Sequence, residues 1–249
     1  MNKVTTTETI DPAYKSLYKL GGAAAFLAAL LLLSEVIVFT LYPQPVTVQD
    51  WFMLFQSNRI MGLLDFWGLE APLYAMFTLV FLALYIALRK TNESLMAIAI
   101  TFALLGSAIF FATNNPLSML SLSDQFTAAT TDAQRTTLLA AGQALLTNTN
   151  QRAVGGFNMG LFLVSIAGLI ASGVMCQSNS FSGSAGYVGI LANVLSLADY
   201  LRQALTPSAT IALLVILPNA LLLILWYILV GRRLYQPQHL EIKMLLQGS

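Results

Sequence analysis

The stretch LGGAAAFLAALLLLSEVIVFTLY, residues Leu20–Tyr42, decides the fold class of this chain. The only charged residue of the stretch is Glu35, and Pro43 comes directly after its last residue, Tyr42. The hydrocarbon core of a bilayer, about 30 Å thick, requires about 20 apolar residues in a helix, and proline does not continue a helix. The mostly polar segment before the stretch is untypical of a cleaved signal peptide, which begins with a short basic stretch and a short apolar run. The stretch therefore predicts a retained transmembrane helix.

The rest of the chain repeats this pattern. Apolar residues make up 57% of the 249 residues and charged residues only 9%, against roughly 25% charged in soluble domains. We therefore predict an all-α, polytopic transmembrane helical bundle with about six spans. The fifth span is the weakest because it is glycine-rich and contains Asn193 and Asp199, so five spans remain the alternative. The predicted spans are Leu20–Tyr42, Phe66–Leu88, Ser94–Thr113, Ala153–Cys176, Gly183–Leu201 and Ala209–Val230.

Two connections between the spans are long enough to hold structure of their own. Gln44–Asp65 contains a short amphipathic pattern that suits the membrane interface. Asn114–Arg152 is longer, and structureless loops of that length are uncommon. Within it, Thr131 and Gln134 have the spacing of a capping box before a helical run, Arg135–Leu146. We expect short interfacial helices in both connections.

The distribution of basic residues predicts the orientation of the bundle. Short cytoplasmic segments carry an excess of lysine and arginine. Eight basic residues fall on the side of the two tails, residues 1–19 and 234–249, and four on the side of the long connections. The prediction is a six-helix domain over residues 20–233 with both tails in the cytoplasm. The eight are Lys3, Lys15, Lys19, Arg89, Lys90, Arg232, Arg233 and Lys243, and the four are Arg59, Arg135, Arg152 and Arg202.

The composition argues against several classes of function. A net charge of +1 gives no concentrated basic face for nucleic acid. Cys176 is the single cysteine and His239 the single histidine, so neither a set of metal ligands nor a haem or iron–sulfur site is expected. We expect no cofactor and find no catalytic motif. Membrane lipids are the expected partners, with a small lipophilic ligand as a further candidate.

Glu35 is the most informative polar residue. It lies within an apolar span, about 10 Å before the outer end of the helix by helical rise. Ionisable groups at such depth are costly and often functional. A paired or protonated structural glutamate is an equally good interpretation.

Glu70 and Asn158 are the other two main candidates for ligand binding. Glu70 lies at the outer start of the second span, two residues before Pro72. A carboxylate there also complements the helix dipole, and proline is favoured in a first turn, so a structural role is the stronger alternative. Asn158 lies near the outer end of the fourth span, where an amide commonly bonds between helices.

Five further polar residues are weaker candidates. We expect Asp65 at the interface with Arg59 as a partner, and an ion pair between Asp199 and Arg202, three residues apart. Asparagines within spans mostly serve packing, and Gly156 and Gly160 predict close helix approach in the fourth span. The five weaker candidates are Asp65, Asn115, Asn193, Asp199 and Asn219.

The polar candidates mostly fall in the outer half of the predicted bundle. By contrast, the inner halves of the first three spans are nearly pure hydrocarbon: Leu20–Leu33, Val80–Leu88 and Met96–Leu105. An aqueous pore needs polar lining through both halves. The sequence therefore predicts a shallow outward pocket under the two long connections rather than a channel.

The connection after the third span carries a resemblance to a known family. The stretch NPLSMLSLSDQF, residues 115–126, followed by AQR at 133–135 and LLAAGQALL at 138–146, resembles a family of bacterial multi-pass membrane proteins known only as a domain of unknown function. LPN at 217–219 and GRR at 231–233 resemble its last span, where the family leads us to expect an acidic residue near the position of Asn219. The resemblance implies six helices and a bacterial inner membrane. It implies no activity.

Three functional hypotheses follow. The first is binding or transport of a small or lipophilic molecule through the outward pocket. The second is a scaffold or sensor subunit whose polar residues serve packing and partner contact. The third is an interfacial enzyme acting on a lipid-linked substrate, with Glu35, Asp65 or Glu70 as acid or base, which would require two of them to converge.

Overall fold

The computed structural model describes residues 12–148, 158–205 and 209–247 of the chain, and this part consists of helices joined by short connections, without strands. A 3-10 turn, Pro12–Tyr14, leads into the first helix, and a π-helical segment, Leu64–Gly68, joins the third and fourth. The predicted all-α bundle is confirmed. The helices are α1 (Lys15–Leu41), α2 (Val48–Ser57), α3 (Arg59–Leu63), α4 (Glu70–Leu88), α5 (Glu93–Thr113), α6 (Pro116–Ala128), α7 (Asp132–Asn148), α8 (Met159–Gln177), α9 (Gly183–Leu205) and α10 (Ala209–Gln247).

Six of these helices form a closed ring in chain order. α1 contacts α4, α4 contacts α5, α5 contacts α8, α8 contacts α9, α9 contacts α10, and α10 returns to contact α1. α4 also contacts α8 across the ring. Large aromatic side chains fill the interior, among them Tyr74, Phe81, Trp226 and Tyr227, all fully buried. The ring places the helices of the six predicted spans side by side.

Among the described residues, five stretches are long and apolar enough to cross a membrane. α9 is not one of them, although its 23 residues would measure about 34 Å as a helix. This agrees with the predicted weakness of the fifth span, and a count of six remains a prediction. The five stretches are Lys15–Leu41, Arg59–Leu88, Glu93–Ala128, Met159–Gln177 and Val215–Tyr235.

A π-helical segment interrupts the start of the second span for a local chemical reason. Pro72 has no N–H, and its ring clashes with the carbonyl four residues earlier, at Gly68. The backbone widens over Leu64–Gly68 and then resumes as α4. Glu70 therefore follows continuous helical backbone rather than a free helix start, which weakens its interpretation as a dipole-complementing residue. Such π-helical insertions often accompany functional sites.

The predicted short helices of the two long connections form a cap at one end of the ring. α2, α6 and α7 contact one another around an apolar cluster that includes Trp51, Phe52 and Phe66. The predicted capping box is confirmed: the amide of Gln134 donates to Thr131 Oγ1, and Gln134 Oε1 accepts from the amide of Thr131, both at 3.3 Å. We call this end of the ring the cap end, and the opposite end, where α1 begins, the tail end.

The last helix departs from its predicted boundary. The sixth span was expected to end at Val230, but α10 continues to Gln247, through the predicted C-terminal tail. It also runs without a break past Pro218. The start of the predicted fourth span, residues 153–157 with Gly156, lies outside the described residues.

Candidate functional site

The packing of α4 against α5 fixes which residues meet at the cap end. The rings of Tyr74 and Phe110 stack with centroids 4.0 Å apart. One turn towards the tail end, Thr78 Oγ1 donates to Ser107 Oγ at 3.2 Å. Because the two helices are antiparallel, the next turn towards the cap end places Glu70 opposite Asn114.

Asn114 is the least expected residue of this region. It continues the buried stripe of α5, four residues after Phe110, and only 3% of it is exposed. Neither Nδ2 nor Oδ1 of its side chain has a hydrogen-bond partner among the described residues. Burying an amide without partners costs about 1–3 kcal/mol in proteins. A buried donor and a buried acceptor therefore stand side by side in the bundle, each without a hydrogen-bond partner among the described residues.

Asn158 joins the same region from the start of α8. Its Oδ1 accepts from the hydroxyl of Tyr74 at 2.9 Å and from the amide of Leu161 at 2.7 Å. The residue is 2% exposed and caps α8. Gly160 permits the approach, since a Cβ there would lie 2.7 Å from the Tyr74 hydroxyl. Asn158 thus anchors α8 to α4 through Tyr74, whose ring stacks on Phe110 of α5.

Glu35 of α1 and Glu70 of α4 lie at about the same level along the axis of the bundle. A Cβ on Gly21 of α1 would lie 2.2 Å from Cβ of Ala83 on α4. Glu35 and Glu70 are each about 20 Å from that contact along their own helices. One oxygen of each carboxylate is buried, Oε1 of Glu35 and Oε2 of Glu70, and each residue also interacts elsewhere within the chain.

One predicted pairing is wrong. Arg59 does not pair with Asp65 but binds Asp124 of α6, with 2.8 Å between Nη2 and Oδ1. The main-chain carbonyl of Asp65 accepts from Gln44 Nε2 at 3.1 Å. Arg59 pairs with Asp124 rather than with Asp65 because the packing of the cap brings α6 close to α3.

The remaining weaker candidates make structural contacts. Asn115 is exposed and caps α6 by accepting from the amides of Leu117 and Ser118. Asn193 donates to the carbonyl of Gly189 within α9, at 2.7 Å.

The last two weaker candidates, Asn219 and Asp199, also have protein partners near α9. Asn219 of α10 exchanges hydrogen bonds with Ser196 of α9, at 2.9 and 3.2 Å. The predicted ion pair of Asp199 and Arg202 is confirmed at 2.8 Å.

An open groove lies on the cap, next to Asn115 at the start of α6. It has a volume of about 640 Å³ and runs between α6 and α7. None of the eight predicted site residues lines it. The lining residues are Leu117, Ser118, Ser121, Leu122, Gln125, Ala141, Ala144 and Leu145.

The arrangement at the cap end can bind but offers little for catalysis. Asn114 supplies a donor and an acceptor, the hydroxyl of Tyr74 donates to Asn158, and the stacked rings of Tyr74 and Phe110 are buried and apolar. We call Glu70, Tyr74, Phe110, Asn114 and Asn158 the cap-end cluster. Two of its members, Glu70 and Asn158, are predicted site residues. Asn114 is not among the predicted site residues; its place four residues after Phe110, on the buried stripe, is the signal that identifies it.

The comparisons with known proteins bear on the family alone. The family model described as "Domain of unknown function (DUF4386)" matches residues 16–231, most of the chain. Comparison with curated proteins and with solved structures gave no significant match.

Proposed function

Because the chain belongs to this family, whose description names no activity, we propose its function from the cap-end cluster: the protein binds a small or lipophilic molecule there. The observation that carries the proposal is the buried, unpartnered amide of Asn114. Natural proteins rarely leave such groups unsatisfied, and each exception calls for a reason. A bound molecule that hydrogen-bonds Asn114 supplies one.

The amide of Asn114 selects the chemistry of the ligand. Nδ2 donates and Oδ1 accepts, so the matching group both accepts and donates, as a carboxamide or a hydroxyl does. The stacked aromatic rings of Tyr74 and Phe110 suit contact with an apolar body. An amphiphile with an uncharged polar head meets both requirements.

The orientation follows the basic residues. With the two tails in the cytoplasm, the cap end faces outward, so the ligand reaches the cluster from the outer leaflet or the outer aqueous phase. We place the protein in a bacterial inner membrane, a location that its resemblance to bacterial membrane proteins supports. Transport would follow from binding only if the bundle also opens to the other side.

A series of ligands with one chain and different heads tests the proposal. The protein in lipid nanodiscs is heated with decanamide, decanol or decylamine at equal concentrations, and its unfolding temperature is measured. We expect decanamide and decanol to stabilise the protein more than decylamine. A ligand at a hundred times its Kd stabilises by about 2.7 kcal/mol.

Asn114→Leu is the decisive variant in this series. It replaces an unsatisfied amide by an apolar side chain of similar shape, so the free protein is expected to become more stable, by about 1 kcal/mol or more. The variant is expected to respond less to decanamide, because its affinity for that ligand falls by a factor of about five or more. Thr113→Val, which removes a hydroxyl that bonds only to the carbonyl of Ile109, serves as the matched control and retains the response. An undiminished response in Asn114→Leu would refute this site.

A further inference from the structure

Basic residues gather at the tail end of the ring. Where the ring helices end on that side, the described residues up to Tyr235 include six basic residues but a single acidic one, Glu93. The two ion pairs reported above, by contrast, lie towards the cap end. The tail end therefore has an excess of positive charge. The six basic residues are Lys15, Lys19, Arg89, Lys90, Arg232 and Arg233.

Three of these six basic residues already interact within the chain. The guanidinium of Arg89 lies over the ring of Tyr14, 5.0 Å from its centroid. Arg233 donates to the carbonyl of Ser180, in the turn between α8 and α9, and Lys15 also has an interaction within the chain. The other three are exposed, and none of them makes a hydrogen bond or an ion pair with a described residue: Lys19, Lys90 and Arg232.

A close approach of α1 and α10 brings two of the exposed basic residues to one place. A Cβ on Gly22 would lie 3.3 Å from the carbonyl oxygen of Gly231, and a Cβ on Gly231 would lie 3.2 Å from that of Gly22. By helical rise, Lys19 lies about 4.5 Å beyond this contact towards the tail end, and Arg232 about 1.5 Å beyond it. The two residues are therefore within about 3 Å of the same level. We call the exposed surface along this contact the α1–α10 seam.

On α1, an apolar stripe continues from Lys19 towards the cap end. Phe26 lies two turns after Lys19 on the same side of the helix. It borders α10, because a Cβ on Gly231 would lie 3.2 Å from its ring. The following members of the stripe recur at helical spacing and are exposed: Leu30, Leu33 and Ile37.

A matching stripe runs along α10. Leu225 and Leu221 lie two and three turns before Arg232 on the same exposed side. The ring of Tyr235 crosses the seam and contacts that of Phe26, with centroids 5.9 Å apart. Of the five spans, those of α1 and α10 are the least buried. Both sides of the seam thus combine one basic residue at the tail end with an apolar surface that points into the bilayer.

We propose that the α1–α10 seam binds an anionic phospholipid from the leaflet at the tail end. Lys19 and Arg232 hold its phosphate, and its acyl chains lie along the two apolar stripes. Basic sites between transmembrane helices bind anionic headgroups in this way, and long basic side chains reach the headgroup level while their stems stay in the apolar region. A second copy of the chain fits less well, because a symmetric contact would bring four basic side chains together at one level. The site is independent of the cap-end cluster.

Native mass spectrometry of the purified protein tests the proposal. The protein in detergent is mixed with equal amounts of dioleoylphosphatidylglycerol and dioleoylphosphatidylcholine, and the bound lipid is identified. The acyl chains are the same, so a preference between these lipids reports on the headgroup. We expect the natural protein to retain the anionic lipid preferentially. Lys19→Gln and Arg232→Gln are each expected to lower this preference about fivefold, and the double variant is expected to lose it.

Lys90→Gln is the matched control, because it removes the same charge at the same end of the ring but away from the seam. Lys90 lies in the turn between α4 and α5. We expect this variant to keep the preference for the anionic lipid. A natural protein that retains both lipids equally would overturn the proposal. So would an equal loss of preference in Lys90→Gln, which would show attraction to the overall charge of the tail end instead of binding at the seam.

Discussion

Gly106→Ala is expected to destabilise the protein, because α5 and α8 touch there through their backbones. A Cβ on Gly106 would lie 2.6 Å from the carbonyl oxygen of Gly160, and a Cβ on Gly160 would lie 2.9 Å from that of Gly106. Backbone atoms cannot move aside as a flexible side chain can, so the helices must separate. Such overpacking typically costs about 1–3 kcal/mol, measured as a lower unfolding free energy in nanodiscs.

Gly173→Ala is the matched control, with the same change of one methyl group on α8. A Cβ on Gly173 would meet nothing within 4 Å. Alanine is favoured over glycine within helices by about 1 kcal/mol, so this variant is expected to be neutral or stabilised. Equal effects of the two substitutions would contradict the close approach of α5 and α8.

Arg202→Met is expected to have the largest effect on stability of any substitution considered. Arg202 lies 2.8 Å from the carboxylate of Asp199, whose side chain is only 3% exposed. Removing one partner of a buried ion pair typically costs about 3–5 kcal/mol, because the other charge stays buried. Thermal unfolding of the variant in nanodiscs measures this loss.

The double variant, Asp199→Leu with Arg202→Met, distinguishes this cause from lost packing. Replacing both members of a buried pair by apolar side chains is often neutral. We expect the double variant to regain most of the stability that Arg202→Met loses. A double variant less stable than the single one would show that the two residues contribute separately.

The sequence predicted the fold well because membrane spans depend on composition along one segment. The third span was predicted as Ser94–Thr113 and is a helix from Glu93 to Thr113. The capping box of Thr131 and Gln134 was predictable for the same reason, since both partners lie within one turn. Local patterns contain all the information that such features need.

The candidate site was only partly predictable because it depends on packing between helices. Glu70 and Asn158 were predicted as polar residues in costly places, but Asn114 is distinguished by burial, which the neighbouring helices determine. Arg59 was assigned to a carboxylate near in sequence, while the fold offers Asp124, 65 residues away.

The contrast between an apolar inner half and a polar outer half holds only for part of the ring. The inner parts of α1, α4 and α5 are apolar, as the sequence indicated. The interface of α8 and α9 is polar farther towards the tail end, at Ser172 and Asn193. Isolated serines and asparagines do not form a recognisable pattern in a sequence. Their alignment at one helix interface becomes visible only in the fold.

The most direct test of the central claim is an experimental structure in lipid nanodiscs at a resolution that shows bound molecules. We predict density beyond the protein within hydrogen-bonding distance of Asn114 Nδ2 and Oδ1, above the rings of Tyr74 and Phe110, and its loss in Asn114→Leu. An Asn114 amide that is fully hydrogen-bonded to protein groups, with no further density beside it, would contradict a binding site at the cap end.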